Sequence, residues 1–193
     1  MKKICVFCGS NIGYGPEFEM QARKLASSLN KKNLSLVYGG GSVGLMGIIA
    51  NELLELGGEV TGVIPHFLVS KEVDHKSLTK MIKVDSIHER KQTMSKISDA
   101  FIAMPGGLGT LEELAEILTW SQLGLVDKPI GLLNVRGFFD SFINMLDEMV
   151  KSGFLKKENR EMLQIESDPD LLLNALENYK PAFTEKWMDQ DQT

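Results

Sequence analysis

Six short, almost unbroken apolar runs alternate with longer stretches of helical periodicity, and this alternation narrows the possible folds more than any other feature of the chain. The runs span residues 3–8, 34–38, 59–64, 81–84, 99–104 and 129–133. A strand with one wet face alternates apolar and polar residues. These runs do not alternate, so both of their faces must be covered, as in a parallel sheet flanked by helices. The intervening periodicity predicts helices over 16–30, 45–56, 86–97 and 111–123, with two more over 138–152 and 170–179. Pro16 suits a first helical turn, and Gly57-Gly58 suits a stop. The expected architecture is α/β: a Rossmann-like, doubly wound, mostly parallel sheet with right-handed crossovers and helices on both faces. Ligands on such sheets bind beyond the carboxyl ends of the strands.

A chain of 193 residues with no internal repeat and no interdomain linker reads as one domain over residues 1–183, followed by a polar tail, 184–193, expected to fray. Its net charge of −5 argues against a nucleic-acid partner, because duplex binding calls for a basic face. No apolar stretch approaches membrane-spanning length, and the run after Lys2-Lys3 meets Cys8-Gly9 too early for a signal peptide. The expectation is a cytoplasmic protein with no membrane partner. Cys5 and Cys8 form a C-x-x-C, but a spacing of three within a strand puts them on opposite faces. They read as buried strand cysteines rather than as a redox pair or zinc ligands. His66, His75 and His88 show no metal-ligand spacing.

Three glycine-bearing turns follow predicted strands, so all three should open on one edge of the sheet. They are Cys8-Gly9-Ser10, then Gly39-Gly40-Gly41-Ser42-Val43-Gly44, then Pro105-Gly106-Gly107-Leu108-Gly109-Thr110. The second holds a formal G-x-G-x-x-G, yet Ile64 leads into Pro65-His66, where a dinucleotide fold would carry an acid for the ribose. The third feeds a helix N-terminus, where backbone N–H groups and the helix dipole favour an anion. No Gly-Lys-Ser/Thr closes that loop, so it is not a triphosphate-hydrolysing P-loop. Convergence of the three turns points to a phosphate-and-ribose pocket using Ser10, Gly40, Gly41, Gly44 and the segment from Gly106 to Thr110.

Two further groups could act there. Thr110-Leu111-Glu112-Glu113 fits a capping box, in which Thr110 caps the helix and Glu113 reaches back. Equally, Glu112, Glu113 and Glu116 crowd acids beside an anion site, which is costly unless one of them works on the substrate. Spacing leaves cap and catalyst both open, and does not select one carboxylate. Arg90-Lys91, on the helix after the fourth run, could grip a phosphate, Arg90 bidentately, or could be a solvated helix face. The charged segment 71–76 could cover the pocket.

Pro105-Gly106-Gly107-Leu108-Gly109-Thr110-Leu111-Glu112-Glu113 resembles the PGGxGTxxE signature of the Lonely Guy proteins, the cytokinin riboside 5′-monophosphate phosphoribohydrolases. The resemblance runs from Val6-Phe7-Cys8-Gly9-Ser10 through Gly39 to Gly47, Glu72, His88-Glu89-Arg90-Lys91, Thr119 to Gly124 and Lys128 to Asn134, ending at Gly153-Phe154. It implies cleavage of the N-glycosidic bond of a nucleoside 5′-monophosphate, of the AMP or N6-isopentenyl-AMP type, to free base and ribose 5-phosphate. It assigns catalysis to Arg90 and Glu113 and nucleotide contacts to Glu72, Lys91, Gly107, Leu108, Gly109, Thr110 and Thr119. It also implies a homodimer with the site at the interface, and needs neither metal nor other cofactor. Ile87 stands where the family has methionine, a change expected to affect packing more than chemistry. Members have often been labelled lysine decarboxylases, but no Schiff-base lysine with a partner for a pyridinium nitrogen is evident. The alternatives are a nucleotide or cofactor carrier without hydrolysis, such as a molybdenum-cofactor carrier, and, last, a pure interaction protein.

Overall fold

The computed structural model describes residues 1–69, 75 and 77–180. Glu72, the rest of the charged segment around His75, and the tail 184–193 lie outside the described residues. Seven parallel strands form one sheet: β1 (Lys3–Phe7), β2 (Ser35–Tyr38), β3 (Val60–Pro65), β4 (Lys80–Val84), β5 (Ala100–Ala103), β6 (Ile130–Leu133) and β7 (Leu163–Glu166). Their spatial order is β4-β3-β2-β1-β5-β6-β7, and every pairing is parallel. The helices are α1 (Pro16–Lys31), α2 (Gly44–Glu55), α3 (Ile87–Ile97), α4 (Leu108–Gln122), α5 (Asp140–Lys151), α6 (Lys157–Glu161) and α7 (Pro169–Glu177). Among the described residues, no helix is long and apolar enough to cross a membrane.

Both sheet faces are covered, as unbroken apolar strands require. Alternate residues of β1 divide between two cores: Ile4 and Val6 pack with α1, α2 and α7, while Cys5 and Phe7 pack with α3, α4 and α5. On α1, Ala22, Leu25, Ala26 and Leu29 recur at the i, i+3, i+4, i+7 spacing of one helical face, and all are buried. Met46, Ile49, Ala50 and Leu53 repeat that spacing on α2. Truncating a fully enclosed side chain such as Leu53 to alanine would cost about 2–5 kcal/mol. Pro16 opens α1, and Gly57, at φ +83°, follows the end of α2, with Gly58 N–H closing back on Leu53 O at 2.8 Å.

Three elements depart from the sequence-based expectation. The seventh strand, Leu-Gln-Ile-Glu, is half polar because it lies at a sheet edge, and so it lacks the apolar signature of the inner strands. Helix α6 is five residues of Lys-Glu-Asn-Arg-Glu and has no apolar period to read. Helix α4 begins at Leu108, not Leu111, with Gly107 at its N-cap and no side chain capping it. Thr110 therefore lies inside the first turn, 4% exposed, and Glu113 is released from the capping box. A side-chain cap with a glutamate reaching back sits instead on α3, where Ser86 is the N-cap. Ser86 Oγ accepts from Glu89 N–H at 3.1 Å, and Glu89 Oε2 accepts from Asp85 N–H at 2.8 Å.

Candidate active site

The strand order reverses between β1 and β5: the chain winds outward from β1 to β4, then α3 returns it to the other side of β1. This switch point opens a crevice at the carboxyl edge, where open α/β sheets take their ligands. The turns after β1 and β5 meet there, with Gly9 N–H donating to Pro105 O at 3.1 Å. A cleft of about 180 Å³ lies over them, lined by Ser10, Gly106, Gly107, Leu45, Phe18 and Phe138 among others.

The three glycine turns do share this edge, but their roles differ. At the second turn, the helix-start N–H groups are already occupied: Leu45 and Met46 both donate to Gly9 O, at 3.0 and 3.4 Å. Gly40 and Gly44 have φ of +82° and +61°, and a β-carbon at Gly44 would overlap the backbone of Ser10. Gly41 is buried, and none of these three glycines lines the cleft. The third turn is the open one. Among the described residues, none accepts from the N–H groups of Leu108, Gly109 or Thr110. At Gly106 a β-carbon would overlap the Thr110 hydroxyl, whereas at Gly107 and Gly109 it would meet nothing within 4 Å. Packing explains the first glycine; the other two leave exposed backbone at a helix N-terminus, suited to an anion.

Arg90 and Glu113 approach this edge from the α3–α4 side. Arg90 is buried, and its Nη2 donates to Gly39 O at 3.2 Å, so the guanidinium reaches from the helix after β4 to the end of β2. Glu113 and Lys91 share, with Phe7 and Trp120, the lining of a small void. Burial pushes the Cys5 thiol well up; the Glu113 carboxylate pushes it further, and Arg90 opposes. Cys8 is likewise pushed up, by burial first and then by Glu113. Both cysteines are free, buried and on opposite faces, as the strand spacing predicts.

Lys91 has a different setting. Its side chain is 6% exposed, and Nζ contacts Glu112 Oε1 and, at 3.0 Å, Glu116 Oε1. Burial alone would lower this ammonium, but the hydrogen bonds it donates to the two carboxylates hold it above its ordinary value. Thr119 is not brought to the loop. Its hydroxyl donates to Ala115 O at 2.7 Å, and it lies about 16 Å along α4 from Leu108 at the usual helical rise. Sequence reasoning placed Gly39 in the second glycine turn but did not foresee that its bare α-carbon admits Arg90, nor the pairing of Lys91 with Glu112 and Glu116. Among the described residues, no group of three His, Cys, Asp or Glu could hold a metal ion.

A parallel sheet with a ligand crevice at its switch point and an open glycine turn leading into a helix defines a doubly wound α/β protein of the Rossmann type. Residues 46–176 match a family model described as a possible lysine decarboxylase. The chain belongs to the Lonely Guy family, that of the cytokinin riboside 5′-monophosphate phosphoribohydrolases. It is 45% identical over 181 residues to cytokinin riboside 5′-monophosphate phosphoribohydrolase LOG5 of Arabidopsis thaliana, covering 94% of this chain and 79% of that protein. It is 46% identical to LOG2 of the same plant, covering 93% and 84%. Among solved structures, the molybdenum cofactor binding protein from the phototrophic bacterium Rippkaea orientalis superposes with a TM-score of 0.67 over 92% of this chain and 96% of that one. At 21% identity, that likeness concerns the fold alone.

Proposed function

We propose that this protein is a nucleoside 5′-monophosphate phosphoribohydrolase: it hydrolyses the N-glycosidic bond of adenosine 5′-monophosphates, N6-modified ones included, to free base and ribose 5-phosphate. The reading is carried by about 45% identity to phosphoribohydrolases, in a chain whose Arg90 reaches Gly39 beyond β2 and whose Glu113 lies in the first turns of α4. A carrier needs no carboxylate at an anomeric carbon, and the carrier-type likeness is one of fold at 21% identity.

In this mechanism the open turn from Gly106 to Thr110 anchors the 5′-phosphate by backbone N–H groups at the start of α4. Cleavage builds positive charge at C1′ and the ring oxygen as the base departs. Glu113 stabilises that charge and orients the water whose oxygen bonds to C1′. Arg90, fixed by Gly39, holds the phosphate or ribose in the reactive pose. No metal or other cofactor takes part.

The reading includes a cytoplasmic homodimer of single-domain subunits, with Glu72 and Thr119 as nucleotide contacts. The position of Thr119 supports two chains, because one straight helix holds it far from its own loop. Leu108, 85% exposed at the start of α4, is an apolar group that a second chain would cover. The test is chromatographic detection of free base after incubation with AMP, N6-isopentenyl-AMP and their nucleosides. Release from the monophosphates alone is expected. Tight binding with no release from any of them would favour the carrier.

A further inference from the structure

We infer that Lys91 is a positioning residue that acts through Glu112 and Glu116, rather than a ligand of the substrate phosphate. This inference rests on the hydrolase reading above. An anion site at the start of α4 faces a difficulty within its own helix, since Glu112, Glu113 and Glu116 all fall in the first three turns. Two of these carboxylates are met by a single ammonium from α3. Lys91 Nζ contacts Glu112 Oε1 and lies 3.0 Å from Glu116 Oε1. With its side chain 6% exposed, Lys91 has little surface left for a ligand, while Glu112 keeps 55% of its own.

The contact does two things. It compensates the carboxylates that flank Glu113, leaving Glu113 as the acid of this cluster that is not held by Lys91. It also ties the helix carrying Arg90 to the helix carrying Glu113, one residue from each. Lys91 is buried while Glu112 is 55% exposed, so removing Lys91 acts chiefly by leaving two uncompensated carboxylates against α3, an effect that neutralising both carboxylates relieves. The spacing of the catalytic pair therefore depends on Lys91 only while Glu112 and Glu116 are charged.

The experiment compares wild type, Lys91→Met, Lys91→Arg and the triple variant Lys91→Met/Glu112→Gln/Glu116→Gln. Each is assayed for base release from AMP and N6-isopentenyl-AMP and for its thermal midpoint. Turnover by the wild type is the prior check on the hydrolase reading itself, and its absence would overturn that reading and this inference together. Given turnover, Lys91→Met should lower kcat by roughly ten- to hundredfold with little change in KM, the signature of misplaced groups. Lys91→Arg should recover most of the rate, and the triple variant should return kcat to within about tenfold of wild type. A rise in KM for the monophosphates at intact kcat, with no recovery in the triple variant, would make Lys91 a phosphate ligand and overturn the inference. If Lys91→Met fails to fold, the triple variant decides alone: a folded but inactive triple variant overturns the inference.

Discussion

Arg90 hydrogen-bonds to the carbonyl of Gly39 at 3.2 Å, and a β-carbon on Gly39 would overlap the same guanidinium nitrogen. The missing side chain is thus what admits the arginine. Gly39→Ala should evict Arg90 and reproduce the kinetic defect of Arg90→Ala. Because both changes remove one arrangement, the double variant should be no worse than either single variant. Steady-state base release from a nucleoside monophosphate checks this cycle; additive losses would separate Gly39 from Arg90.

Glu113 is not a helix cap, since α4 starts at Leu108 with Gly107 before it. Glu113→Gln should therefore keep the fold and retain nucleotide binding while abolishing turnover. Wild-type rates in that variant would remove Glu113 from the chemistry.

Gly109 is the second residue of α4, and open space surrounds its α-carbon. On helix propensity alone, Gly109→Ala should stabilise the protein by up to about 1 kcal/mol. The same methyl group projects where the phosphate is proposed to lie, so KM for the monophosphate should rise. Thermal unfolding and kinetics on one variant test both signs. A stabilised variant with unchanged KM would argue that the phosphate does not approach this α-carbon.

His75 gives a pH signature. It is buried, Ser77 N–H donates to its Nδ1 at 3.4 Å, and its Nε2 pairs with Asn51 Oδ1 at 2.7 Å, an arrangement suited to the neutral ring. Burial lowers its folded pKa below the ordinary value near 6.5. The unfolded chain then binds the proton more readily, so stability is fully present above about pH 6.5 and falls as pH drops toward the folded value. The slope is at most about 1.4 kcal/mol per pH unit. Denaturant unfolding between pH 5 and 8 should show this slope in the wild type, and His75→Gln should flatten it.

The local rules of the chain carried far. Apolar runs specified six of the seven parallel strands: the inner ones because a strand buried on both faces has few polar positions to spare, and edge strand β4, with Lys80 and Lys83 exposed, through Met81, Ile82 and Val84. Glycine turns after parallel strands had to share one edge, and Gly57 had to end α2. The edge strand β7, Leu-Gln-Ile-Glu, alternates apolar with polar residues and so carries no apolar run.

What the sequence determined by itself is therefore the doubly wound sheet, the edge on which its glycine turns gather and, through the glycine signature, the family. Tertiary structure alone decided which glycine turn stays open, that Glu113 is no cap, and that Lys91 meets Glu112 and Glu116. The physical reason is range. Backbone periods and turn conformations are set by neighbours a few residues apart, and so they leave a mark in composition and spacing. The Arg90–Gly39 and Lys91–Glu112 contacts join residues 51 and 21 positions apart, and exist only because packing two helices on one sheet face aims those side chains.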